Sequence, residues 1–177
     1  MEREVERLNL AALLTEVAAQ MRPLADAAGL AMTLDLPDSL PSIDGSRDEL
    51  SRLFTNLISN AIKYNRPGGS VEITARADGA YLRATVRDTG IGIPADALPR
   101  LFTDFYRVKT PETRLITGTG LGLAIVKRIA AAHQGSVTVE SQPGRPAPRP
   151  AGRSGLAAGR PGGSAFTVRL PVPVPAN

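Results

Sequence analysis

Three segments of the chain repeat apolar residues at the three- and four-residue spacing of an amphipathic helix. The first lies between Asn9, a predicted N-cap, and Gly29, a predicted residue just beyond the helix C-terminus. The second follows a capping position within residues 44–46 and ends near residues 67–69, and the third spans residues 121–132. The spacing therefore predicts three helices, each with one buried face.

Other segments alternate apolar and polar residues, a pattern typical of strands with one buried face. In chain order these segments are residues 31–36, 71–75, 82–86, 136–141 and 165–170. Asp78 and Gly79 predict a hairpin turn between the second and third segments. The element order predicts an α/β (α+β) two-layer sandwich, in which a mixed, largely antiparallel sheet of about five strands is covered on one face by three helices.

The second helix carries a polar seam beside its apolar face, formed by Asn56, Asn60 and Lys63. Asparagine is a poor helix former because its side chain competes for backbone hydrogen bonds. Two amide oxygens on one helix face can meet Mg²⁺, which prefers oxygen ligands, and Lys63 could reach a phosphate. The alternative is a solvent-exposed polar face, and the helix taken alone favours that alternative.

Composition excludes several classes of site. The chain has no cysteine and one histidine, His133, so disulfides, thiolate sites and multi-histidine metal sites are excluded or improbable. The formal charge is +4, but four arginines fall in residues 143–163, which contain no acid. The rest of the chain is neutral, which argues against a nucleic-acid partner. No apolar run approaches the roughly 18 residues of a membrane span, so we expect no membrane contact.

A second candidate feature is the sequence "DTGIGIP", residues 88–94. Asp88 ends a predicted strand, and Gly90 and Gly92 follow it, so a carboxylate would lie at a pocket edge with backbone free to approach a planar ligand. A carboxylate accepts the exocyclic N–H of adenine and repels a carbonyl at that position. The alternative is an ordinary glycine turn after a strand.

A third feature is "GTGLGLAIVKRI", residues 118–129, in which Gly118, Gly120 and Gly122 lead into a helix. Glycines at a helix N-terminus allow phosphates to contact unpaired backbone N–H groups. The sequence is neither a Walker A motif nor G-x-G-x-x-G, so the nucleotide-binding folds that carry those two motifs are disfavoured. Upstream, aromatic residues precede a polar segment, residues 107–117, that has the character of a lid over phosphates. The residues concerned are Phe102, Phe105, Tyr106, Arg107, Lys109 and Arg114.

Together these segments resemble the ATP-binding catalytic domain of sensor histidine kinases, in the superfamily that includes gyrase and the mismatch-repair ATPases. "NLISNAIKYN" resembles the N box of that family, "DTGIGIP" its first glycine box, "LFTDFYR" its F box and "GTGLGLAIVKRI" its second glycine box. The resemblance covers roughly residues 8–142 and 163–171.

The resemblance implies a role for each matching position, with ATP and Mg²⁺ as ligands. Asn60, assisted by Asn56, matches the Mg²⁺ ligand, and Asp88 matches the adenine-binding carboxylate. Asn56, Lys63 and Arg114 are the implied catalytic residues, although Lys109 and Arg114 are both candidates for the lid contact to the γ-phosphate. The implied ATP-binding residues are Asn56, Asn60, Lys63, Tyr64, Asp88, Gly90, Gly92, Ile93, Gly118, Thr119, Gly120, Leu121, Gly122 and Leu123.

Asn56 also discriminates within the superfamily, whose hydrolytic members resemble one another in having a glutamate there to activate water. An amide cannot accept a proton at neutral pH, so water would be a poor nucleophile. An imidazole needs less activation, so transfer of the γ-phosphoryl group to histidine fits better. The implied activity is that of a protein-histidine kinase.

The phosphoacceptor helix is not in this sequence. His133 sits at a predicted helix C-terminus without a following acidic residue, so it is not a good acceptor candidate. We expect residues 1–8 to be the end of a helix or a linker from a missing dimerisation domain. Residues 9–177 would be the catalytic domain, with a disordered insertion at about 144–162 rich in proline, glycine and arginine.

The expected partners are a dimerisation and histidine-phosphotransfer domain, in cis or in trans, and a downstream response regulator. The isolated domain is expected to be a monomer and cytoplasmic, within a soluble or membrane-anchored parent. Two alternatives remain open. One is an ATP-binding docking module without transfer activity, which Thr103 in place of the usual F-box glutamate leaves possible. The other is an anti-sigma-like serine kinase.

Overall fold

The computed structural model describes residues 4–144 and 162–173 of the chain. In chain order its elements are β1 (Glu6–Leu8), α1 (Leu10–Ala27), β2 (Ala31–Asp35), β3 (Ile43–Gly45), α2 (Arg47–Lys63), β4 (Ser70–Asp78), β5 (Tyr81–Asp88), a short 3₁₀ helix (Leu98–Arg100), α3 (Gly122–Ala132), β6 (Ser136–Gln142) and β7 (Gly163–Pro171). Within the described ranges, no helix is both long and apolar enough to cross a membrane.

The main sheet has five strands in the order β2-β4-β5-β7-β6. β2 pairs with β4 in parallel, and the other three pairings are antiparallel. One face of the sheet contributes to a single apolar core with α1, α2 and α3. The other face carries polar side chains such as Thr74, Thr85 and Thr167. The predicted two-layer sandwich is therefore confirmed.

The helix termini follow the local signals closely. The Asn9 side chain accepts a hydrogen bond from the backbone N–H of Ala12 at 3.1 Å and caps α1 as predicted. Gly29, just past the end of α1, has a φ of +69°, which favours glycine. α2 ends at Lys63, before the predicted 67–69 boundary. Proline at position 67 disfavours helical geometry in the residue before it, so the chain turns earlier.

The N-terminal segment differs from the expectation. The prediction that residues 1–8 are the end of a helix is wrong for Glu6–Leu8, which form β1 and pair antiparallel with Ile43–Gly45. Strands of three residues carry almost no periodic signal, and this pairing joins segments far apart in the chain. The predicted insertion at 144–162 lies outside the described residues except for Gly144 and Gly162.

Candidate functional site

A cleft of about 210 Å³ opens between α2, the loop after β5, the lid and the start of α3. It brings together residues from all three motifs, which lie between Asn56 and Leu123 in the chain. The predicted site residues that line the cleft are Asn56, Asn60, Lys63, Tyr64, Asp88, Gly92, Ile93, Gly118, Thr119, Gly120, Gly122 and Leu123. The fold therefore gathers most of the predicted set at one place.

Four of the predicted residues do not line the cleft. Gly90 lies behind it, where a Cβ atom would be 2.1 Å from the carbonyl oxygen of Tyr64. Leu121 is the N-cap residue of α3. Arg114 and Lys109 line a separate depression on the lid. Arg107 lines both spaces, so it is the lid cation that this structure presents to the cleft.

Asp88 is the buried charge of the site. It ends β5, is 7% exposed, and accepts a hydrogen bond from the backbone N–H of Gly90 at 2.8 Å. Burial raises the pKa of Asp88 to about 6, against the opposing effect of backbone hydrogen bonds from Gly90 and Ser164. A carboxylate has about four acceptor sites, so it can accept a further hydrogen bond from a ligand in the cleft.

The polar seam of α2 lines the cleft. The Asn56 side-chain N–H donates to the carbonyl oxygen of Arg52 at 3.0 Å. The Asn56 Oδ1 atom is consequently turned toward α3, where a Cβ on Gly122 would lie 3.3 Å from it. Asn60 and Lys63 follow at one-turn intervals along the same wall.

The donor set fits Mg²⁺ bound together with a polyphosphate. Asp88 is the only carboxylate among the described residues that line the cleft. The described part of the chain also contains no group of three or more His, Cys, Asp or Glu residues able to hold a metal. Mg²⁺ prefers oxygen ligands and keeps several phosphate oxygens and waters in its shell, and the seam amides could supply the remaining oxygens.

The glycines serve two different purposes. Gly92 has a φ of +73°, and a Cβ there would be 2.0 Å from the carbonyl oxygen of Gln142. Gly90 is equally tight against Tyr64, so the packing of the protein on itself requires glycine at both positions. Around Gly118, by contrast, a Cβ would meet no atom within 4 Å. Open space beside the backbone is therefore found at Gly118, in the second glycine segment (residues 118–122).

The lid has internal hydrogen bonds. Thr113 is buried, and its hydroxyl donates to the carbonyl oxygen of Val108 at 2.7 Å. The backbone N–H of Thr110 donates to the Thr113 hydroxyl at 2.9 Å. Phe105 precedes the lid with a φ of +61°, and its N–H donates to the carbonyl oxygen of Gly120 at 3.1 Å. The lid is thus attached directly to the second glycine segment.

Several lining residues were not predicted as ligand contacts. Ser164 and Phe166 come from β7, which pairs with β5 so that Ser164 lies directly opposite Asp88. Only the pairing of β5 with β7 brings them to the site, and nothing in the local sequence indicates it. The other unpredicted lining residues are Ser59, Ile91, Leu101, Tyr106, Arg107, Val108, Thr110, Thr113 and Thr117.

The chain is similar in sequence to several sensor histidine kinases. It is 38% identical to RppB of Synechocystis over 160 residues. This alignment covers 90% of this chain and 32% of RppB. It is 40% identical to RcsC of Escherichia coli over 136 residues. This alignment covers 77% of this chain and 12% of RcsC. The chain thus spans a third or less of these relatives.

Solved structures of histidine kinases are similar to this chain in fold. Full-length ShkA in complex with AMPPNP matches all of this chain with a TM-score of 0.77 and 30% identity, over 33% of the ShkA chain. The catalytic domain of the histidine kinase ThkA superposes with a TM-score of 0.75, over 96% of this chain and 98% of the ThkA chain. At 22% identity this is a likeness of fold.

A family model completes the comparison. The model of histidine kinase-, DNA gyrase B- and HSP90-like ATPases matches residues 45–174, which include every segment that lines the cleft. The buried Asp88, the seam on α2 and the glycine segment before α3 all lie within the match. The chain therefore belongs to this ATPase family and is homologous to the catalytic domains of sensor histidine kinases.

Proposed function

We propose that this chain binds ATP with Mg²⁺ in the cleft and transfers the γ-phosphoryl group to a histidine on a dimerisation domain. The observation that carries the proposal is the distribution of charge along the cleft. A buried carboxylate, Asp88, lies at the β5 end, whereas amides and the cation Lys63 line the α2 wall. This polarity suits a nucleotide with its base at Asp88 and its phosphates toward the seam and the lid.

Each residue has a distinct role in this proposal. Asp88 accepts a hydrogen bond from the adenine amino group, and Asn60 with Asn56 would hold Mg²⁺. Lys63 and Arg107 are the cations that the described residues present to the cleft, so they neutralise phosphate charge. Bound Mg²⁺ would supply further neutralisation of the phosphate charge that develops during transfer.

Histidine is favoured over water as the acceptor because the α2 wall has no general base. Asn56 cannot take a proton, and no other carboxylate among the described lining residues accompanies Asp88. In the transfer, a P–N bond forms to the imidazole and the bond from the γ-phosphorus to the ADP oxygen breaks. The imidazole N–H proton leaves to a base on the acceptor domain or to solvent.

The partners follow from this activity. We infer a dimerisation domain that carries the histidine and a response regulator that receives the phosphoryl group. ThkA, whose fold this chain shares, has been solved in complex with the response regulator protein TrrA. A cytoplasmic site for this domain is part of the same proposal, since ATP and response regulators are found there.

The direct test is labelling in trans. The chain is incubated with γ-labelled ATP, Mg²⁺ and a separately produced dimerisation domain from a sensor histidine kinase. We expect label on that domain with the acid lability of phosphohistidine, and none when its histidine is replaced by glutamine. The matched control on this chain is Asn60→Ala, which should remove the label while leaving the protein folded.

The other outcomes identify the alternatives. Tight ATP binding without label on a domain that a cognate kinase does phosphorylate would favour the docking module. Acid-stable phosphoserine on a partner would favour the anti-sigma-like serine kinase.

A further inference from the structure

A hydroxyl group outside the cleft joins three parts of the site. The Ser141 Oγ atom, on β6, accepts a hydrogen bond from the backbone N–H of Ile93 at 2.8 Å. The same atom donates to the carbonyl oxygen of Gly163 at 2.9 Å and lies 2.8 Å from the Ser164 Oγ atom. Ile93 and Ser164 line the cleft, and Ser141 does not. Ser141 therefore contacts two residues that a ligand can reach.

One arrangement of protons makes all three contacts of the Ser141 hydroxyl hydrogen bonds at once. A serine hydroxyl has one proton to donate and two lone pairs to accept. In that arrangement the Ser141 proton goes to the Gly163 carbonyl oxygen, which can only accept. The proton between the serines must then come from Ser164, so Ser164 donates to Ser141. Ser164 has no proton left for a ligand and presents an acceptor to the cleft.

This acceptor stands beside the buried carboxylate. Ser164 lies directly opposite Asp88 in the pairing of β7 with β5, and its backbone N–H is one of the groups that stabilise the Asp88 carboxylate. A purine whose substituent at position 6 contacts Asp88 is consequently next to the Ser164 hydroxyl as well. Two neighbouring acceptors favour an amino group there and disfavour a carbonyl oxygen.

The end of β6 is held tightly against the glycine turn, which keeps Ser141 in register. A Cβ on Gly92 would lie 2.0 Å from the Gln142 carbonyl oxygen, and the Gly144 N–H donates to the carbonyl oxygen of Ile91 at 3.2 Å. Ser141 cannot turn away without losing the Ile93 hydrogen bond. The hydroxyl orientation at Ser164 is thus set by a strand that makes no contact with the cleft.

We infer that Ser141 is a positioning residue for base selection, which acts through Ser164 to favour adenine over 6-oxopurines. The inference rests on the proposed binding of ATP in the cleft. With Ser141→Ala the Ser164 proton is released, and it can then be donated to a carbonyl oxygen at position 6. A purely structural role of Ser141 would weaken both kinds of nucleotide equally and leave their ratio unchanged.

The experiment compares dissociation constants for ATP and inosine triphosphate, measured by calorimetry in the presence of Mg²⁺. The two ligands have the same phosphates and differ at the position-6 group and the adjoining ring nitrogen. We expect the ratio of the inosine triphosphate constant to the ATP constant to fall by about threefold to tenfold in Ser141→Ala, the usual effect of one hydrogen bond. Ser141→Thr, which retains a hydroxyl, and Ser136→Ala, at an exposed position of the same strand, should keep the wild-type ratio.

A double-mutant cycle separates the mechanism from indirect effects. Ser164→Ala should lower the ratio by itself, and adding Ser141→Ala to it should change the ratio no further. A wild-type ratio in a folded Ser141→Ala, or full additivity of the two substitutions, would overturn the role of Ser141. If Ser141→Ala does not fold, an unchanged ratio in Ser164→Ala overturns it instead. No ATP binding by the wild-type chain would refute the proposed function itself.

Discussion

At the residue scale, one buried carboxylate sets the chemistry of the site. Asp88 is kept in the cleft although burial raises its pKa to about 6, so its ionised form is disfavoured in the folded protein. A group retained at such a cost is a functional candidate with a physical reason. Its two backbone donors, Gly90 and Ser164, hold the carboxylate without neutralising it.

The substitution Asp88→Asn tests this role. The asparagine amide would place an N–H group against the adenine amino group, which is also a donor. We therefore expect the affinity for ATP to fall by about 10- to 100-fold, as for a lost hydrogen bond to a charged group. Calorimetric titration measures the change, and Asp96→Asn, at an exposed position after the same turn, is the matched control. An ATP affinity equal to that of the wild type in Asp88→Asn would contradict the assignment of the adenine site.

The raised pKa also predicts two opposite pH dependences. Protonated Asp88 contributes stability in full when the pH is below 3.8, the ordinary pKa of the group. This contribution is lost as the pH rises through about 6, the raised pKa of Asp88. The unliganded protein should lose on the order of 3 kcal/mol of unfolding free energy from this group across that range. ATP binding should become tighter over the same range, because the ionised form is the stronger acceptor.

Urea unfolding and calorimetry at a series of pH values measure both effects. Asp88→Asn has no titrating group at this position, so its stability profile should lack the step between pH 4 and 6. A wild-type profile identical to that of the variant would show that Asp88 titrates normally.

At the element scale, hydrogen bonds between the ends of helices connect the two walls of the cleft. His133, at the C-terminus of α3, is buried, and its Nε2 atom accepts the backbone N–H of Ser46 at 3.0 Å. Its Nδ1 atom donates to the carbonyl oxygen of Ile129 at 2.8 Å. The residue thus ties the end of α3 to the start of α2, the helices that carry the second glycine segment and the seam.

Two helix N-caps provide a matched pair for a stability test. Asn9 caps α1 through a side-chain hydrogen bond, whereas Ser46, the N-cap residue of α2, makes no such bond. We expect Asn9→Ala to lower the free energy of unfolding by about 1 kcal/mol. Ser46→Ala should change it by a few tenths or less, roughly the range of uninvolved positions. Urea denaturation gives both values, and equal losses would contradict the assignment of the caps.

At the scale of the whole molecule, the proposed nucleotide would contact several elements at once. α2 contributes the seam, β5 contributes Asp88, and the lid is attached to the second glycine segment through Phe105 and Gly120. A ligand that contacts all three stabilises the native state relative to the unfolded chain.

We therefore expect thermal stabilisation by ATP that depends on Mg²⁺. At an ATP concentration about 100 times the dissociation constant, the gain in unfolding free energy should be about 2.7 kcal/mol. Removal of Mg²⁺ with a chelator should reduce the gain, because phosphate charge is then less fully neutralised. Asn60→Asp should alter this metal dependence. Thermal unfolding with and without chelator measures the effect, and equal stabilisation by ATP in both would argue against a metal at the seam.

The elements and most of the site could be predicted because their signals are local. Helical spacing, alternation and capping residues are determined by neighbouring positions, and they predicted three helices and five strands correctly. The N box and both glycine segments are also short and contiguous, so their resemblance to known motifs was visible in the sequence.

Tertiary structure decided what depends on pairing between distant segments. The pairing of β1 with β3 overrode a helical expectation at Glu6–Leu8, because partner strands supply backbone hydrogen bonds that no local pattern encodes. The pairing of β5 with β7 brought Ser164 to Asp88, and close packing against Tyr64 and Gln142 requires glycine at positions 90 and 92. The sequence by itself determined which groups were available for chemistry, and the three-dimensional pairing of strands determined which of them meet.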